Sequence, residues 1–155
     1  MAADADGDLV VVWASGGSSG TDSSVGSIQG QRYASDGSRV DDEFQVNSYT
    51  TDHQFDPSVS LDADGDFVIV WDSRGSGDTD SDGWSVQGQR YASDGSTVGS
   101  QFQVNTYTTD DQTRTAVALE ADGDFVVVWD SRGSAGRGRR FRRRVVELAF
   151  GPRGP

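Results

Sequence analysis

Apolar residues in this chain come in short runs, and the runs recur. Phe67-Val-Ile-Val-Trp71 is unbroken and rich in β-branched side chains, which is how a strand buried on both faces reads. A Gly/Ser/Asp loop follows over residues 73–83. From Trp84 to Tyr91 the pattern alternates, with Trp84, Val86 and Gly88 on one face and Gln87, Gln89 and Tyr91 on the other. Alternation of period two predicts a second strand. Ser93-Asp-Gly-Ser96 predicts a tight turn in which Gly supplies positive φ. Phe102-Gln-Val104 predicts a shorter third strand that continues toward Tyr107. After a polar loop over 108–112, Thr115-Ala-Val-Ala-Leu119 predicts a fourth strand with Val117 and Leu119 inward. Glu120-Ala-Asp-Gly-Asp124 then turns the chain. No segment holds a 3.6-residue period with a cap, so the unit reads as four antiparallel strands without a helix.

The same order of strands and turns occurs more than once. Residues 5–62 and 63–120 are two copies of one 58-residue unit, identical at 36 of 58 positions, with Trp13, Trp71 and Trp129 marking the same place in successive copies. A third copy starts at Ala121 and matches the second at 13 of 14 residues through Ser134, where the match stops. A fixed period of this size means one supersecondary unit used repeatedly. Four short strands per unit predict an all-β fold with a β-propeller-like blade, because neighbouring blades would cover both faces of the 67–71 strand. A β-sandwich or a stacked solenoid of the same hairpins is the alternative. Two copies and one strand are too few for a ring, which typically takes about 4–8 blades. The expected form is therefore an open arc, a fragment of a longer array, or an assembly with other copies of the repeat.

Composition narrows the function. The length suits a domain with a real core. There is no Cys, hence no disulfide framework and no zinc-thiolate site. No apolar stretch is long enough to span a membrane. The first residues lack a basic segment followed by an apolar one, so no secretory leader is expected within this chain. All 13 basic residues are Arg, and they are unevenly placed. Residues 1–134 hold 24 acidic residues and 6 Arg, which is −18, while residues 135–155 hold 1 Glu and 7 Arg, which is +6. The acidic body would repel phosphate, which argues against nucleic acid as its partner.

Three groups of residues are candidates for chemistry. Asp78-Thr-Asp-Ser-Asp-Gly83 places carboxylates at alternate positions before a Gly, as in the first half of a calcium loop. Asp78, Asp80 and Asp82 are thus the candidate metal ligands, with calcium as the candidate cofactor. Gln89 stands where a calcium-binding helix-loop-helix would have its bidentate Glu, and the flanks read as strands. The alternative is a solvated acidic loop. The second group is the recurring turn, with Asp4, Asp6 and Asp8, then Asp62, Asp64 and Asp66, then Glu120, Asp122 and Asp124; ordinary turn chemistry is its simplest reading. The third group is the aromatics. Trp13, Trp71, Trp129, Tyr33, Tyr91, Tyr49 and Tyr107 recur with the period and read as packing. Trp84 occurs only in the second copy, where the first has Gly26, and is the candidate ligand contact. Gln29, Gln31, Gln87 and Gln89 read as outward polar positions. His53 has no counterpart in the second copy, and neither a nucleophile elbow nor a phosphate loop is present. No catalytic residue is assigned and the chain reads as a non-enzyme.

The strings Asp-Gly-Asp-Phe-Val-Ile-Val-Trp, Val-Gln-Gly-Gln-Arg-Tyr and Phe-Gln-Val-Asn-Thr-Tyr-Thr resemble a tandem repeat of very large secreted or cell-surface bacterial proteins. The resemblance covers residues 5–134. It implies an extracellular or surface location, and in such proteins the repeat often accompanies calcium-binding or adhesion modules. It implies no catalytic residue. The expectation is a structural or adhesive repeat module, with a carbohydrate-binding module as the competing class. The tail, 135–155, stands apart. It reads as a basic tail for an anionic surface or for the acidic body, as an edge-capping strand over 144–150, or as an out-of-frame gene end.

Overall fold

A computed structural model of the chain describes residues 1–18, 20–76, 79–132 and 142–148. These form eleven strands: β1 (Ala2–Ala3), β2 (Leu9–Ser15), β3 (Ser27–Tyr33), β4 (Arg39–Gln45), β5 (Gln54–Leu61), β6 (Phe67–Arg74), β7 (Trp84–Tyr91), β8 (Thr97–Gln103), β9 (Gln112–Leu119), β10 (Phe125–Ser131) and β11 (Arg142–Leu148). They pair, all antiparallel, as three open sheets. Sheet 1 has the order β1-β2-β3-β4, sheet 2 the order β5-β6-β7-β8, and sheet 3 the order β11-β10-β9. The protein is all-β, its described part has no helix, and the sheets stack without closing, like an incomplete propeller.

Sheet and sequence repeat differ in phase. β5 pairs with β6 across the 62/63 repeat junction, Leu61 opposite Phe67. The strands of unit 5–62 are therefore shared between two sheets, which a tandem repeat allows because its starting point is arbitrary. β8 also starts earlier than the pattern suggests. Its leading residues, Thr-Val-Gly-Ser, are exposed, so this outer strand is held by backbone pairing to β7 and leaves no apolar trace.

The core consists of two equivalent joints. Between sheets 1 and 2, Val10, Ile28 and Val46 meet Val59, Phe67, Ile69, Trp71 and Tyr91, with Val12, Phe44 and Leu61 beside them. Adding 58 to Val10, Ile28 and Val46 gives Val68, Val86 and Val104. These meet Phe125, Val127 and Trp129 between sheets 2 and 3, with Phe102, Val117 and Leu119 beside them. β6 is thus covered on both sides: Phe67, Ile69 and Trp71 face sheet 1, while Val68 and Val70 face sheet 3. Every residue from Phe67 to Ser73 is buried. Full burial of an apolar side chain contributes about 1.5–3 kcal/mol, so Phe67–Trp71 supplies a large part of the hydrophobic term.

Two details fit the sheets together. Gly88 leaves room for the Phe102 ring against β7, since a Cβ there would stand 2.7 Å from it, and Gly30 does the same for Phe44. Along the inner strands, Val117 N–H donates to Ser58 Oγ (3.4 Å) and Leu119 N–H to Ser60 Oγ (3.0 Å), so β5 and β9 are joined by hydroxyls as well as by packing. β11 takes the position on β10 that β7 takes on β6, with Leu148 opposite Phe125. Repeat spacing would put residue 149 there, so the pairing is one residue out of phase. The other tail residues fall outside the described part.

Candidate functional site

A polar knot holds the loop end of sheet 1, and it is built again on sheet 2. Asp22 is buried, and its Oδ2 accepts from Asn47 Nδ2 (2.7 Å). Asn47 Oδ1 accepts from Ile28 N–H (2.8 Å), and Asn47 Nδ2 also donates to the Tyr49 carbonyl (2.9 Å) and Gln54 Oε1 (3.3 Å). Fifty-eight residues on, Asp80 Oδ2 accepts from Asn105 Nδ2 (2.6 Å), Asn105 Oδ1 accepts from Val86 N–H (2.7 Å), and Asn105 Nδ2 donates to the Tyr107 carbonyl (3.0 Å). Gln112, the counterpart of Gln54, accepts from Ser131 Oγ (2.6 Å) on β10 and donates to the Thr109 and Asp110 carbonyls. Buried polar groups are tolerated because each finds a partner. The signal for this knot was present in the sequence. Asp, Asn and Gln are identical in both copies, at positions where a solvated loop could have varied.

The acidic loop takes part in this knot. Asp78 lies outside the described residues. Asp80 is fully buried, and its Oδ1 accepts from Asp82 N–H (3.3 Å) while Asn105 occupies Oδ2. Burial pushes the Asp80 carboxyl above its ordinary value, opposed by the Asn105 hydrogen bond. Asp82 Oδ2 receives Asp110 N–H at 3.4 Å. Asp80 is thus a strut, like Asp22, and Asp82 braces the neighbouring loop. Among the described residues no three acidic or histidine side chains form a group able to hold a metal ion.

The recurring turns form a second feature. Asp4 Oδ1 accepts from the N–H groups of Asp6 (3.0 Å) and Asp8 (2.9 Å), and Asp62 Oδ1 does the same for Asp64 and Asp66 (3.0 Å each). Asp8 and Asp66 then accept from Ser35 and Ser93 N–H, 2.9 Å each, on the adjacent turn. Neighbouring turns line two equivalent clefts of about 290 and 300 Å³, the first including Asp4, Arg32, Tyr33 and Gly65 and the second Asp62, Arg90, Tyr91 and Gly123. Arg32 crosses from sheet 1 to sheet 2, donating to the carbonyls of Ser93 (2.7 Å) and Asp94 (2.6 Å) and pairing with Asp41 (3.2 Å).

The glutamines do not point to solvent. Gln29, Gln31, Gln87 and Gln89 are all buried. Gln29 Nε2 donates to Ser27 Oγ and Gln87 Nε2 to Ser85 Oγ, 2.9 Å each. Gln31 Nε2 donates to the carbonyls of Arg32 (2.9 Å) and Asp41 (3.2 Å), and Gln89 Nε2 to those of Arg90 (3.0 Å) and Gly99 (3.2 Å). A strand alternation shows only that two faces differ; here the polar face is covered too.

No family model matches the chain, and no curated protein matches it significantly. What it can bind has to be read from its own side chains. No helix among the described residues is long and apolar enough to cross a membrane.

Trp84 does not stand alone. Its ring lies 5.9 Å from that of Phe55, which stacks on His53 at 5.4 Å and 17°. Phe55 is 40% exposed. All three residues depart from the repeat, since the first copy has Gly26 for Trp84 and the second has Asp111 and Thr113 for His53 and Phe55. The fold gathers these exceptions at one end of sheet 2, where β7 carries Trp84, β5 carries Phe55 and His53 precedes β5.

Asp72 was not visible as a site from its sequence position at the end of the apolar run. It is buried at the joint between sheets 2 and 3, and its Oδ2 accepts from Arg114 N–H (2.8 Å). Its Oδ1 has no hydrogen-bond partner. Burial, opposed by hydrogen bonds from Arg114 and Thr115 and reinforced by the charge of Asp56, pushes its carboxyl up to about 7. In the next copy Arg114 replaces Asp56, and Asp130 pairs with its guanidinium at 3.6 Å.

Proposed function

We propose that this chain is a non-enzymatic, structural or adhesive repeat module of a secreted or surface protein. The observation that carries the reading is the joint itself. The same apolar faces, the same Asp-Asn strut and the same turn bracing recur at a spacing of 58 residues. The apolar faces join one sheet to the next in the same way at both joints, while the strut and the turn bracing finish each sheet, which is what an extendable scaffold uses. The resemblance to repeats of large secreted and surface proteins supports the location. Inserting one further copy of residues 63–120 tests the module. In a nearest-neighbour array an added unit brings its own joint and raises stability, so the midpoint in urea should rise. An insertion that unfolds the protein contradicts the module.

Calcium support at Asp78, Asp80 and Asp82 belongs to this proposal. A ligand that favours the native state must stabilise it, so millimolar calcium should raise the melting temperature and Asp82→Asn should remove the rise. A melting temperature indifferent to calcium removes the metal from the account.

The second reading is carbohydrate binding, favoured by the gathering of His53, Phe55 and Trp84 outside the repeat pattern. Partly exposed aromatic rings offer apolar faces on which a sugar ring can pack. A glycan array should then lose its signal with Trp84→Ala while the melting curve is kept. Binding that survives this substitution excludes the Trp84 site.

A further inference from the structure

The outer strands of sheets 1 and 2 leave a groove of about 570 Å³ between them, a size that falls within the roughly 300–1,000 Å³ of small-ligand sites. Phe44 and Gln45 of β4 line one side, and Thr97, Gly99, Ser100 and Gln101 of β8 line the other. Gln101 ties the two sides together, since its Oε1 accepts from Ser48 N–H (2.8 Å) and Ser48 Oγ (3.0 Å). Gln89 and Tyr91 of β7 line the groove from within, each 4% exposed. Both keep unused hydrogen-bonding capacity. Gln89 Nε2 donates to the Arg90 and Gly99 carbonyls (3.0 and 3.2 Å), while its Oε1 accepts from no described residue. The Tyr91 ring packs on Phe67 (4.6 Å) and Phe44 (5.5 Å), on the side of the sheet where the groove lies. Burial pushes the Tyr91 hydroxyl above its ordinary pKa, and no hydrogen bond opposes the shift. Groups of this kind favour a ligand that supplies the missing partner.

The groove is also uncharged, in a chain of net charge −12. Its neutrality is a departure from the repeat. Thr97, Gly99, Ser100 and Gln101 stand where the first copy has Arg39, Asp41, Asp42 and Glu43. Every charged position of β4 is therefore neutral in β8, and the replacements are the β8 residues that line the groove.

We propose that this groove binds a neutral oligosaccharide, whose hydroxyls pair with Gln89 Oε1 and the hydroxyls of Tyr91, Thr97 and Ser100 beside the half-buried Phe44 ring. The acidic body repels anions, and no carboxylate lines the groove to hold a cation. A lining of carboxamides and hydroxyls matches an uncharged ligand rich in hydroxyl groups. The ligand class is that of the second reading above, but the site is a different one. Trp84 and Tyr91 stand at opposite ends of β7, about 23 Å apart along the strand. Among the described residues the arrangement occurs once, because sheet 3 has the order β11-β10-β9 and no strand in the place of β8.

Isothermal titration of the full chain with cellohexaose, maltohexaose, laminarihexaose and mannohexaose tests this, with oligogalacturonate as the charged control. At least one neutral hexaose should bind, and oligogalacturonate should not. Tyr91→Phe removes no hydrogen bond within the described protein and should weaken binding about three- to tenfold. Ser100→Trp, at an exposed position of β8, should abolish binding by filling the groove. Circular dichroism with melting curves establishes that each variant is folded. Ser100→Asp, which restores the residue of the first copy, replaces Ser100→Trp if that variant is not, and should also weaken binding. No binding by any of these hexaoses overturns the inference, as does tighter binding of oligogalacturonate or an affinity untouched by both groove substitutions. Binding lost with Trp84→Ala and kept in both groove variants overturns it as well and supports the Trp84 site instead. None of these results touches the module reading, which stands or falls with the inserted copy.

Discussion

β2 and β6 have almost the same apolar sequence and very different surroundings. Leu9-Val-Val-Val-Trp13 and Phe67-Val-Ile-Val-Trp71 sit at the same place in successive repeats. In β6 every residue through Ser73 is buried, while in β2 only Val10 is. The strands differ because sheet 2 has a neighbour on each side within the chain and sheet 1 has one. Burial here is a property of position in the stack, and the sequence of a strand records the environment the repeat is built for.

The largest test of that comparison is truncation of the equivalent tryptophans. Trp71 is 0% exposed, and replacing a fully buried Trp with Ala costs about 3–5 kcal/mol. Trp13→Ala should cost less than half of this, measured by urea unfolding at a concentration where the chain is monomeric. Equal losses would mean that the two strands are equally enclosed.

The second test uses a residue that only one of them has. Asp72 stands in β6 where β2 has Ala14. Its carboxyl is raised from 3.8 to about 7 in the folded protein, so the unfolded chain releases this proton first. Stability from this group is full below about pH 4 and falls as pH rises through 7, by up to about 4 kcal/mol at one unit per 1.36 kcal/mol. Asp72→Asn should flatten that decline and be the more stable form at pH 8. A variant with the wild-type pH profile would show that Asp72 titrates normally.

A smaller effect is expected where the sheets agree. Asn47→Ala and Asn105→Ala each strand a buried aspartate, and each should cost about 1–3 kcal/mol. The match between the two losses is the point, because the struts have the same geometry. A loss confined to one of them would make the other decorative.

The strands that pack were legible, and the residues that join them were not. Phe67–Trp71 could be read as doubly covered because no polar residue interrupts it. β8 was shortened because Thr97–Ser100 lies exposed at a sheet edge and carries no apolar period. Gln31 and Gln89 looked solvent-facing because a carboxamide reads as polar whether water or a backbone carbonyl satisfies it. Asp80 drew attention through its spacing from Asp78 and Asp82, yet its partner, Asn105, lies 25 residues away in the chain. Spacing reveals ligands that are neighbours in sequence and misses a strut formed across a sheet. The aromatic group at Trp84 was half visible, since its departure from the repeat could be seen but not its company with His53 and Phe55.

The central claim is that one joint is used twice, leaving the middle sheet enclosed and the first sheet half open. Amide hydrogen exchange on dilute, monomeric protein tests it most directly, because protection follows the free energy of local opening. The amides of residues 68–71 should be the slowest in the molecule, and those of residues 10–13 should exchange measurably faster. Equal protection of the two strands, or slower exchange in β2, would contradict the account.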